Sequence, residues 1–248
     1  MRGYGQFCPV AKAAEVFAER WMPLLLRELL NGSTQFNDLH RGVPLMSRSL
    51  LVQRLRRLED IGAVVRVRGP SGPQYHLTQA GRDFAPIVEL LGNWGQRWFR
   101  STFARDELDV GLLMWDLRRG ARVDAFPSGR TVVQFDFSGQ PVSKRTWWLV
   151  CDDGQIDLCP TDPGFEVGLY VATDLKTMTR VWMGDLALPG AVRSGAIHLS
   201  GPRDLCRRFE RWLGSSYYAR VEAAVQPSRK SPAALRAPML GRAVQVSN

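Results

Sequence analysis

A chain of 248 residues with 45% hydrophobic content is long enough to bury one large core or two modest ones, and its composition argues against disorder except at the ends. The formal charge of +9 is unevenly placed: residues 1–105 carry 15 Lys and Arg against 8 Asp and Glu, residues 106–226 carry 14 against 16, and residues 227–248 carry 4 against none. No apolar stretch is long enough for a signal peptide or a bilayer span, and four cysteines without C-x-x-C spacing beside three histidines give no basis for a metal or cofactor, so the sequence predicts a cytoplasmic protein with no membrane partner.

Residues 9–19 place Val10, Ala13, Ala14 and Phe17 on one helical face, with Pro9 at a first helical position. Residues 22–30 repeat the pattern with Leu25, Leu26, Leu29 and Leu30 and stop at Asn31-Gly32. Thr34 can cap a short third helix through Phe36, Leu39 and His40, closed by Gly42 and Pro44. Residues 47–61 predict a fourth helix. On it Leu51, Leu55 and Leu58 share a narrow face, Ser49, Gln53, Arg56 and Arg57 fall opposite, and Arg54 lies at the margin. Gly62 ends this helix, residues 63–68 alternate as a strand, residues 69–73 form a tip and residues 74–77 return, which makes a β-hairpin with Arg66 and Arg68 on one face.

Thr78 can cap one long helix running to Trp98, too apolar to face water on every side. A further helix is expected at 107–119, strands at 130–137, 145–151 and 165–172, and helices at 174–183 and 202–213. The fold class is therefore α+β: an N-terminal helical domain with a two-stranded wing (residues 1–104), a connecting helix and linker (105–125), a smaller α+β domain with a mixed or antiparallel sheet (126–225), and a basic, disordered tail (226–248).

A rigid helix anchored by leucines on one side and polar and cationic on the other, followed by a wing, is the equipment of a winged helix-turn-helix that reads the major groove of double-stranded DNA. The candidate contacts are Ser47, Arg48, Ser49, Gln53, Arg54, Arg56, Arg57, Arg66 and Arg68. Gln53 has the bidentate geometry for adenine, Arg56 and Arg57 suit phosphate, and Arg68 lies nearest the tip, where it reaches backbone or minor groove. The competing reading of each is an ordinary wetted surface. No nucleophile elbow, phosphate loop or dinucleotide fingerprint occurs, and His40, His76 and His198 have no partners for a triad, so an enzyme is not expected.

Cys8-Pro9-Val10, Arg20-Trp21 leading into Leu24 to Leu29, Phe36 to Leu39, Ser47 with Leu51, Arg54-Leu55, Leu58-Glu59 and Gly62, then Tyr75 to Gly81, together resemble the HxlR-type transcriptional regulators over roughly residues 8–100. The resemblance implies a homodimer paired through its terminal helices on a near-palindromic operator. It also implies that Cys8 is either a thiol redox sensor, as in some relatives, or a small residue packed at the dimer interface. More loosely, Val171 to Leu175 with Met178, Trp182 and Gly184, then Gly195 to Gly201 and Leu205 to Trp212, resemble the sterol carrier protein type two fold. That resemblance implies a small apolar effector held between sheet and helices, with Trp147, Trp148, Phe165, Tyr170 and Trp182 as candidate lining; the alternative is plain core. The other function class is an apolar-ligand-binding or dimer-stabilising protein whose basic domain binds nucleic acid without sequence preference.

Overall fold

The computed structural model describes residues 3–70, 72–99 and 107–223. Pro9, whose missing N–H is harmless at a first helical turn, opens α1 (Pro9–Phe17). The chain then turns at Trp21, a non-glycine residue at φ 76°, into α2 (Met22–Leu30). That left-handed conformation costs about 1–2 kcal/mol for a residue with a Cβ. Arg54 steadies the corner, its Nε donating to the Arg20 carbonyl at 3.1 Å. α3 (Phe36–Gly42) leads to α4 (Arg48–Asp60), whose first turn is capped by Ser47 Oγ accepting the Leu50 N–H at 3.3 Å.

Gly62, at φ 72°, stops α4 in a Schellman turn: the Ala63 N–H donates to Leu58 O and the Gly62 N–H to Glu59 O, each at 2.9 Å. The turn aims the chain into an antiparallel hairpin, β1 (Val64–Gly69) and β2 (Gly72–Leu77), with Val64 opposite Leu77 and Gly69 opposite Gly72. The hairpin is fastened below, because the Tyr75 N–H donates to Thr34 O at 2.8 Å and Gln35 bridges Gln74. Met22, Leu25, Leu26, Leu39, Leu51, Leu55 and Leu58 fill the core beneath it.

The single helix expected from Thr78 onward is two. Thr78 caps the short α5 (Gln79–Arg82), and α6 (Ala85–Phe99) then starts afresh. The break follows from Pro86, which has no N–H for the Arg82 carbonyl and whose ring crowds that oxygen. α7 (Val110–Gly120) begins later than expected, because Asp109 is its cap and Asp109 Oδ1 accepts the Leu112 N–H at 2.9 Å.

The second core belongs to a mixed five-stranded sheet of β3 (Thr131–Ser138), β4 (Thr146–Asp152), β5 (Gln155–Cys159), β6 (Leu169–Asp174) and β7 (Ile197–Ser200), ordered β5-β4-β3-β6-β7. β3 and β6 are parallel and the other pairs antiparallel. A short α8 (Val142–Arg145) joins β3 to β4. α7, α9 (Leu175–Trp182) and α11 (Arg203–Leu213) share a core with Val133, Phe135 and Phe137 on one face of the sheet, and α10 (Leu188–Arg193) precedes β7. β5, β7 and α10 were not expected. Both strands are short edge strands that carry Asp157 or His198 among their few apolar residues, and edges tolerate such residues while blurring the alternation. The tail expected at 226–248 lies outside the described residues.

A buried ion cluster joins the two cores. Glu28 on α2 has no exposed surface; it accepts from Arg27 at 2.8 Å, from Arg119 of α7 at 2.7 Å and from the Trp115 indole at 3.4 Å. Arg27 also donates to the Gly42 carbonyl at 3.0 Å.

Candidate nucleic-acid interface

α4 presents the two faces that its sequence demands. Leu51, Leu55 and Leu58 are buried, while Ser47, Arg48, Ser49, Gln53 and Arg56 are exposed and Arg57 is half-buried. At about 1.5 Å per residue the helix is roughly 20 Å long, sufficient to lie across a major groove with its first turns nearest the bases. Ser47 and Ser49 approach each other at 3.2 Å between hydroxyls. Arg48 is oriented from α3: Nη1 donates to Asn37 Oδ1 at 3.2 Å and the guanidinium lies 5.6 Å from the Phe36 ring centre. Arg66 and Arg68 on β1 are exposed, opposite Tyr75 and Pro73. Ser71 at the tip lies outside the described residues.

Arg54 stands apart from the other candidates. Besides its bond to Arg20, its Nη1 pairs with Glu19 at 2.6 Å, and the two side chains are only 15% and 11% exposed. Its guanidinium is spent inside the domain on the corner that turns α1 into α2, so the marginal position on the helix wheel corresponds to a brace.

Cys8 is half-buried at the start of α1, its carbonyl accepting the Lys12 N–H at 3.1 Å. None of the four cysteines is disulfide-bonded. Among the described residues, no group of three or more His, Cys, Asp or Glu is placed to hold a metal ion. No described helix is long and apolar enough to cross a membrane.

The five aromatic residues expected to line one pocket are not brought together. Phe135 pairs with Trp147 across the sheet, which puts Trp147 on the helix side, packed against the core, and Trp182 belongs to that same core. Gln134 sits between Trp148 and Tyr170 in the register, so those two face the other way, and the Trp148 indole donates to Gln134 Oε1 at 3.2 Å. Phe165 lies in the loop before β6 with the Arg130 guanidinium 4.1 Å from its ring centre. The sheet separates them because successive residues of a strand point to opposite faces. The space between sheet and helices is filled by Phe135, Phe137, Phe209 and Trp212. The Glu28 cluster is not legible in the sequence beyond an Arg-Glu pair inside a run of leucines.

The HxlR-like helix-turn-helix family model matches residues 16–103. YvaP, an uncharacterized HTH-type transcriptional regulator of Bacillus subtilis (strain 168), is 34% identical over 102 residues, which is 40% of this chain and 94% of the relative. A further uncharacterized HTH-type transcriptional regulator, from Methanothermobacter thermautotrophicus, is 31% identical over 94 residues, 37% of this chain and 72% of the relative. Among solved structures, the redox regulator HypR in its oxidized form is 32% identical with a TM-score of 0.34, covering 36% of this chain and 95% of that one.

Proposed function

The chain belongs to the HxlR-like helix-turn-helix family of transcriptional regulators, and on that premise we propose that it reads a near-palindromic operator as a homodimer in the cytoplasm. The observation that carries the reading is the outward face of α4, where Ser49, Gln53 and Arg56 stand exposed over a helix pinned by three buried leucines. Gln53 and Ser49 read base edges, Arg48, Arg56 and Arg57 hold phosphates, and Arg66 and Arg68 bring the wing to the backbone or minor groove.

Dimerisation is supported by α6, whose Ile87, Leu90, Leu91, Trp94 and Trp98 form an exposed apolar stripe, with Leu90 at 68% and Trp94 at 54% exposure. Near the N-terminus Phe7 is fully exposed and Val10 is 76% exposed. A stripe of this kind on a water-soluble domain marks a contact with another protein surface, and a two-fold pairing would set two copies of α4 about 34 Å apart, one turn of DNA. Thiol oxidation at Cys8 belongs to the same proposal; a Cys8→Ser variant whose operator binding still responds to oxidant would remove it. Helices packed on one face of a sheet support the sterol-carrier resemblance of residues 126–225.

The reading is tested by selecting bound sequences from random duplex DNA with the full chain. A two-fold symmetric motif is the expected product. Recovery of no motif, with equal affinity for all duplexes, would favour the alternative of a dimer-stabilising or ligand-binding protein with unspecific nucleic-acid affinity.

A further inference from the structure

Between the two cores lies a cavity of about 680 Å³, within the size range of small-molecule sites. One wall is built by α2 and α6, through Arg27, Leu30, Val88 and Glu89; the other by α7, α9 and the turn at Tyr217 and Tyr218. Leu108, Leu112, Leu113, Trp182 and Met183 make much of the lining apolar. Its charge is lopsided: with Asp109 answered by Lys144 at 3.5 Å, the carboxylates of Glu89 and Asp116 stand beside the guanidiniums of Arg27 and Arg119. Both guanidiniums are already committed to the buried Glu28. Asp116 also pairs with Arg119, yet burial still pushes its carboxyl above the usual range. An added positive charge is therefore welcome here and an added negative one is not.

We infer that this cavity binds a lipophilic organic cation, an apolar and largely aromatic body carrying a protonated amine or a quaternary centre. The body covers the leucines and the Trp182 ring, which also offers a cation its π face. The charge answers Asp116 and Glu89, and the Tyr217 hydroxyl, donating to Glu89 Oε1 at 2.7 Å, holds that carboxylate in place.

The position of the cavity gives the ligand a lever. At about 100° per residue, Ala85, Val88, Glu89, Gly92 and Gln96 share one face of α6, opposite the exposed stripe of Leu90 and Trp94. Ala85, Val88 and Glu89 line the cavity, Gly92 abuts Tyr218 with no room for a Cβ, and Gln96 Nε2 donates to Met183 O at 3.3 Å. A ligand thus bears on one side of a helix whose other side sets the spacing of the two recognition helices, and it shifts DNA affinity through its preference for one spacing. This regulatory consequence rests on the dimer proposed above; the binding site itself does not.

The test uses the full chain without DNA, titrated with tetraphenylphosphonium and with tetraphenylborate, ions of nearly equal size and opposite charge, followed by calorimetry and tryptophan fluorescence. Because the protein carries a net +9, unspecific attraction favours the borate. The expected result is one phosphonium per chain, bound at least about tenfold more tightly than the borate. Asp116→Asn combined with Glu89→Gln is expected to remove that preference. Leu112→Trp, which fills the cavity from α7, is expected to abolish binding, and Ala85→Phe from the opposite wall serves should the first variant fail to fold. Equal binding of the two ions, or phosphonium binding unchanged in a folded cavity-filling variant, overturns the inference. Neither result touches the DNA-reading proposal, and failure to find an operator leaves this site standing.

Discussion

Arg119 Nη1 on α7 lies 2.7 Å from Glu28 Oε2 on α2, so a carboxylate sealed inside the DNA-reading half is neutralised partly by a cation from the other half. Arg119→Met leaves Glu28 with the Arg27 guanidinium and the Trp115 indole. Removing one partner of a wholly buried pair typically costs about 3–5 kcal/mol, and with Arg27 still in place a loss of about 2–3 kcal/mol is expected in urea unfolding. Adding Glu28→Gln to Arg119→Met should restore part of that loss. Strict additivity of the two single changes would show that the pair is not coupled.

On α4, the proposed contacts divide by the part of the duplex each would meet. Gln53→Ala is expected to weaken binding to the selected operator by about 1–3 kcal/mol while leaving random duplex almost unaffected. Arg56→Ala is expected to weaken both alike and to lower the salt dependence by about one released ion. Fluorescence anisotropy on the two duplexes at several salt concentrations separates these outcomes; equal losses for Gln53→Ala would remove it from base reading.

Arg54→Ala should behave as neither. With Glu19 at 2.6 Å and the Arg20 carbonyl at 3.1 Å both abandoned, and the Trp21 corner left unsupported, stability is expected to fall by about 1–3 kcal/mol. The operator preference of the folded fraction should persist. A variant of native melting temperature but altered sequence preference would return Arg54 to the DNA surface.

The exposed stripe on α6 predicts the assembly. Leu90→Glu with Trp94→Glu places two charges where a partner helix would pack, and the chain should sediment as a monomer with an intact circular dichroism spectrum. Operator affinity is expected to drop by well over tenfold, since each half-site is then bound alone. A native chain that sediments as a monomer at micromolar concentration would refute the pairing outright.

Burial raises the Asp116 carboxyl above its ordinary value, with Arg119 and Arg27 pulling it back and Glu28 pushing it further. An acid more readily protonated in the fold than in the unfolded chain makes stability fall as pH climbs from the unfolded value, about 3.9, through the raised folded one. Below that window the side chain is neutral in both states. Asp116→Asn should lose this slope, so its urea midpoint relative to the unaltered chain should rise between acid and neutral pH. A difference that is constant with pH would assign the cost to some other group.

Much of the DNA-reading half was legible because its signals are local. Three leucines at helical spacing, a serine cap and a glycine stop specify α4 within fifteen or so residues, and turn residues specify the wing. The break before Pro86 was equally local and was overridden by the apolar periodicity on either side. The aromatic residues of the second half could not be placed the same way. Trp147 and Trp148 are neighbours in sequence and lie on opposite faces of one sheet, and only the pairing of β3, β4 and β6 decides which is which. The cavity is less local still, since its walls come from segments up to about 190 residues apart and its acidic character appears only when those segments meet.

The bond from the Tyr75 N–H to Thr34 O, with the Gln35–Gln74 bridge beside it, makes the return strand of the wing an extension of the segment that begins α3. A hairpin tethered at that point has little freedom to swing, so wing and recognition helix would meet a duplex as a fixed caliper. Sequences whose grooves already match its opening would be engaged cheaply, and stiffer ones would have to bend, which lets the protein discriminate at base pairs that no side chain reaches.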